Sequence, residues 1–205
     1  SAAILINYHF GLNRYLNHFN DYRQYIGWYF VFLSAFALGH AAHTIRSHEN
    51  VFRNKKFIAL LLIAPAIFAW KMVANIELNI STDVFKDEYW NDVLYWPYKV
   101  GVITLMLAIV HRIFEKGNSF YGATLKGFQA KPYVLMLLIM LPLLAAASTQ
   151  KDFLEMYPRF QKVEYLLQPE RGWHKLLYEL SYGSDFFSIE LFFRGFLVLA
   201  FAKWV

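Results

Sequence analysis

The chain has 205 residues, of which 58% are hydrophobic, 20% aromatic and 17% charged, and it contains no cysteine. A soluble domain keeps roughly a quarter of its residues charged, so this composition makes a bilayer the natural solvent, and the missing cysteine excludes disulfides, thiolate metal sites and a cysteine nucleophile. The formal net charge of +5 does not argue for nucleic acid, because Lys and Arg gather in short loops beside apolar runs, where orientation in a membrane accounts for them.

In chain order, residues 1–25 mix apolar side chains with Arg14, Asp21, Arg23 and several Asn, without a small-residue cleavage site. This pattern predicts an interfacial N-terminal segment instead of a signal peptide. The first apolar run, 26–45, is long enough at ~1.5 Å per residue to cross a hydrocarbon core of about 30 Å. A second, 57–76, contains Pro65 and Lys71, which a membrane helix accommodates by kinking and by snorkelling the ammonium. The third, 93–114, opens on Tyr95, Trp96 and Tyr98 around Pro97, the aromatic belt expected at headgroup level. A fourth, 133–147, is the most apolar and carries Pro142. Residues 173–182 place Leu176, Leu177 and Leu180 on one side, predicting an amphipathic helix on the membrane surface. The fifth run, 186–205, is still apolar at Val205, and because the chain also opens on Ser1, a longer protein is expected. The reading is an all-α, polytopic helix bundle of about five spans, forming one membrane domain over 1–205.

Loop charge sets the expected orientation. Arg46, Arg53, Lys55 and Lys56 lie between the first two runs, whereas Glu77, Asp83, Asp87, Glu88 and Asp92 outnumber Lys86 in the next connection. Short basic loops collect on the cytoplasmic side, and Arg112, Lys116, Lys126 and Lys131 make the third connection basic again. The N-terminus and the 149–184 segment then lie on the far side.

Glu190 and Arg194 stand four residues apart inside an apolar run, on one helical face. A charge at the membrane centre costs roughly 2.5 to 3.5 kcal/mol on insertion scales, so both side chains are expected to face the bundle interior, paired or lining a wet cavity. One outcome is a structural ion pair that fixes helix packing. The other is a carboxylate that activates water, with the guanidinium favouring its charged form, as a general base requires.

The stretch Ile189-Glu190-Leu191-Phe192-Phe193-Arg194-Gly195 resembles the first motif of the CAAX protease and bacteriocin-processing (CPBP or Abi) family, Glu-Glu-x-x-x-Arg continued as Phe-Arg-Gly. The resemblance implies an intramembrane protease bundle in which the motif Glu and His residues of later helices activate water for peptide hydrolysis. Glu190 matches the second Glu and Arg194 the Arg, whereas Ile189 occupies the place of the first Glu, usually given the base role. Catalysis then requires Glu190 to take that role, or the protein is an inactive member. The family's later His motifs belong to helices expected after Val205, and a metal at the family's Glu and His positions stays open; no other cofactor is implied.

Other polar residues have plainer readings. His40 and His43 are three apart on the first run, a spacing that puts two imidazoles on one face, but no third ligand accompanies them and an interfacial role is expected over a metal site. His111 beside Arg112 reads as a polar helix end, and His174 as part of the amphipathic helix. Asp185 is placed to cap the fifth run, and Glu179 is read as an interfacial carboxylate. Asn79-Ile80-Ser81 has the glycosylation pattern without a host to give it meaning.

The functional expectation is a CPBP-like intramembrane peptidase with Glu190 and Arg194 as its catalytic residues, in a bacterial inner membrane or its equivalent. Its expected partners are membrane lipids and a membrane protein or peptide substrate, not nucleic acid. The competing reading is a non-catalytic membrane subunit or scaffold that docks partner subunits through aromatic faces. A transporter fragment is a third, disfavoured by the few intramembrane ionisable groups and the lack of paired broken helices.

Overall fold

The structure, a computed structural model, describes residues 9, 11–47, 51–116, 119–124, 127, 129–157, 159–163 and 172–202. All regular structure among them is helical: α1 (Leu12–Leu16), α2 (Asp21–Ser47), α3 (Lys55–Val73), α4 (Val84–Phe114), α5 (Ala130–Ala147), α6 (Lys151–Met156) and α7 (Gly172–Glu190), which runs on as a π-helix over Leu191–Ala200. Four of the described helices are long and apolar enough to cross a membrane: Asp21–Arg46, Lys55–Val73, Val84–Phe114 and Ala130–Ala147. An all-α bundle of membrane-span-like helices is therefore the fold class.

Local chemistry sets the helix starts. Asn54 accepts hydrogen bonds from the Lys56 and Phe57 amides at 2.9 and 3.3 Å, satisfying two orphan donors at the head of α3. The Asp83 carboxylate accepts from the Phe85 amide at 3.1 Å and starts α4 nine residues before the expected 93. Asp87, read from sequence as loop charge, sits in the first turn of α4 and accepts from the Ile80 and Ser81 amides at 2.6 and 3.0 Å. Its carboxylate thus folds the preceding segment back on the helix. At the other end of the chain, α7 spans both the stretch expected as a separate amphipathic helix, 173–182, and the start of the run 186–205. Residues 203–205 of that run lie outside the described residues.

The chain divides into two compact units. One comprises 1–75, 101–121 and 189–205. In it, Phe57, Leu60, Leu61, Ala64 and Ile67 of α3 recur at three- and four-residue spacing and bury against Ile103, Leu107 and Val110 of α4 and Leu191, Phe192 and Phe196 of the π-helix. α2 packs along α3 through Trp28 beside Ala69 and through the Phe32 and Phe68 rings, edge to face at 4.4 Å. Pro65 lies within α3, fully buried.

The second unit comprises 76–100 and 122–188. Its core is aromatic: Tyr89 and Val93 of α4 meet Tyr178 of α7, with Phe160 and Val163 beside them. The Tyr89 hydroxyl donates to the His174 carbonyl at 2.8 Å, Ser181 donates to the Val93 carbonyl, and the Glu179 carboxylate accepts from the Phe160 amide at 2.8 Å. α5 belongs to this unit, and none of its residues is buried.

Candidate functional site

Glu190 closes α7 in ordinary right-handed helical geometry, and the wider π winding begins at Leu191. The sequence pattern of the next turns explains the change. Leu191, Phe192, Gly195, Phe196, Ala200 and Phe201 are buried, a recurrence of four to five residues that a 3.6-residue turn does not keep on one face and an i→i+5 helix does. Gly195 permits the close approach on which this face rests. A Cβ there would stand 3.0 Å from the Tyr121 Cβ and 3.1 Å from the Tyr121 carbonyl oxygen. Tyr121 itself is held at φ 43°, ψ 42°, left-handed geometry uncommon for a side chain of this size.

With that face inward, Glu190 and Arg194 fall on the outer side. Arg194 Nε and Glu190 Oε2 are 3.0 Å apart, with side-chain exposures of 82% and 53%. The expected pairing is present, while the expected interior position is not: four-residue spacing across the start of the π-helix brings the pair together, but with Gly195 packed against Tyr121 it lies away from the core of its unit. The arrangement can orient a carboxylate and present it to a molecule arriving from outside the chain. Ile189, beside it, is half-buried and adds no second carboxylate.

The Glu190 carboxylate is engaged by a cation, and among the described residues no three His, Cys, Asp or Glu side chains gather. His40 instead stacks on Phe201 at 5.3 Å and meets the edge of Phe57 at 5.0 Å. His111 lies in the last turn of α4, 3.2 Å from the Ser119 carbonyl, and packs edge-on against Phe120 and Tyr121. That contact ties the connection after α4 to the helix end.

Asp185, expected to cap a helix, lies well inside α7 because the helix starts at Gly172. It accepts from the Ser188 hydroxyl at 2.8 Å, and Ser188 is fully buried. Lys99, which the sequence reading passed over, is 5% exposed, hydrogen-bonded to the Tyr95 hydroxyl and 4.0 Å over the Tyr95 ring. Its signal was present as a lone cation in an apolar run, costly in a membrane unless paired. Tyr178 was also missed: it shares a hydrogen bond with Asp92, and burial, then the Asp92 and Glu179 carboxylates, push its phenol well above the usual range. Tyr121 moves the same way, through burial and then Glu115.

Compared with protein-family models, curated proteins and solved structures, the chain matches none.

Proposed function

We propose that the chain is a CPBP-like intramembrane peptidase in which Glu190 activates water and Arg194 orients the carboxylate. The observation that supports this reading is the Glu190–Arg194 pair, 3.0 Å apart at the junction of α7 and the π-helix, in the stretch that resembles the family motif. π-helical turns are rare and frequent at functional sites. In the reaction, Glu190, together with a His of a later helix, takes a proton as water attacks the scissile carbonyl, Arg194 keeps the carboxylate aimed at that water, and the proton passes to the leaving amine as the C–N bond breaks. The substrate class is a membrane-embedded peptide or protein, and the setting is a bacterial inner membrane or its equivalent.

The test is hydrolysis of a membrane-peptide library by the purified full-length protein in lipid nanodiscs, read by mass spectrometry. General-base removal costs about 10²- to 10⁴-fold, so Glu190→Gln is expected to reduce cleavage by at least about 10²-fold, and Arg194→Lys to reduce it less. Cleavage that persists unchanged in Glu190→Gln overturns the assignment.

The second reading is a non-catalytic membrane subunit. It is favoured by Ile189 in place of the first motif Glu and by α5, an apolar helix of 18 residues with none buried. A well-folded full-length wild type, with the helices expected to follow Val205, that cleaves nothing in the library supports it over the peptidase.

A further inference from the structure

The first unit contains a cavity of about 340 Å³ lined by Phe36 and His40 of α2 and by Leu197, Val198, Phe201 and Ala202 at the end of the π-helix. Its volume falls within the roughly 300–1,000 Å³ of small-molecule sites, which combine apolar walls with a few polar groups; here His40 is the polar member of the lining. Both walls are helical, so their backbone groups are committed to their own helices. An extended peptide would find no backbone partners there, whereas an alkyl chain needs none.

The surroundings specify the head that such a chain carries. Phe57 touches both walls, with its ring 5.0 Å from His40 and 5.9 Å from Phe201. Lys55 and Lys56 immediately precede it in the first turn of α3, both exposed, and Arg53 is exposed just before them. Arg46 lies six residues beyond His40 near the end of α2, about 9 Å along the axis at 1.5 Å per residue. Four basic residues against Glu49 thus fall between residues 46 and 56, in the sequence that joins the His40 wall to Phe57. Basic clusters at the cytoplasmic end of membrane helices attract anionic headgroups.

We propose that this cavity holds one acyl chain of an anionic glycerophospholipid, with the phosphate set against Arg53, Lys55 and Lys56. A zwitterionic lipid presents its own cation to the same edge and is disfavoured. The inference does not depend on Glu190 or on hydrolysis.

The experiment uses the full chain in nanodiscs of equal phosphatidylglycerol and phosphatidylcholine, released into native mass spectrometry. One retained phosphatidylglycerol is expected, preferred over phosphatidylcholine by at least about fivefold, the worth of one basic residue at an anionic surface. Val198→Trp, which fills the cavity, is expected to abolish retention. Lys55→Gln with Lys56→Gln, both on the exposed surface, is expected to keep a retained lipid but erase the preference, and this arm stands if the tryptophan variant does not fold. Equal retention of the two lipids by the wild type, no retained lipid, or undiminished retention in a folded Val198→Trp overturns the proposal.

Discussion

Gly195 carries two opposing local energies, and their sizes decide what a methyl group does there. Alanine is favoured over glycine in a helix by about 1 kcal/mol, but the new Cβ would meet the Tyr121 Cβ at 3.0 Å and its carbonyl at 3.1 Å, and overpacking costs about 1–3 kcal/mol. Gly195→Ala is therefore expected to lower stability, by about 1 kcal/mol, whereas Gly39→Ala, with nothing within 4 Å of the added Cβ on α2, is expected to be neutral or stabilising. Thermal unfolding of the two variants in the same detergent checks this; equal shifts would remove the close approach as the reason for the glycine. The motif residues themselves were readable in sequence, since Glu190 and Arg194 pair at four-residue spacing in any helix. Which way the pair points was not, because Tyr121 lies far away in the chain and no local pattern announces it.

At the scale of elements, the seam between the early turns of α4 and α7 rests on buried phenols. Tyr178 is 4% exposed and its ionisation is pushed upward by burial and then by Asp92 and Glu179. The unfolded chain ionises tyrosine near pH 10, so above that pH the folded state holds more protons than the unfolded one and stability falls as pH rises. Each such group contributes a slope of at most about 1.4 kcal/mol per pH unit. Tyr178→Phe is expected to flatten the alkaline limb by up to that amount, at a neutral-pH cost of about 1 kcal/mol for the lost hydrogen bond. Unfolding midpoints between pH 8 and 11.5 measure it, and an unchanged alkaline slope would mean that Tyr178 ionises as freely in the folded chain. The early start of α4 belongs to the same scale: Asp87 and Glu88 look like loop charge in a list of residues, yet Tyr89 and Val93 on the same turns need a helix to reach the aromatic core.

For the whole molecule, α5 is the helix that presents its apolar side chains outward. Its residues from Tyr133 to Leu144 include Leu137 and Leu141 at 58% and 53% exposure, well beyond what a helix in water keeps, so lipid or another protein covers it in the membrane. A photo-crosslinking residue at Leu137 or Leu141 is expected to give an adduct of one fixed protein mass in native membranes if the chain is a subunit, and lipid adducts alone if it acts by itself. Composition and the length of apolar runs were enough to determine an all-α membrane bundle, because satisfying backbone polar groups in hydrocarbon leaves few other choices. Four of the five expected apolar runs lie within helices long and apolar enough to span, though with α4 starting earlier than expected, and the pairing of Glu190 with Arg194 followed from the same one-dimensional spacing. Only tertiary structure decided that α7 and the last run are one continuous helical path, that the path winds as a π-helix over Leu191–Ala200, and that the ion pair faces outward. The outward direction of the pair goes with a contact between residues distant in sequence, Gly195 with Tyr121, which periodicity along the chain does not encode.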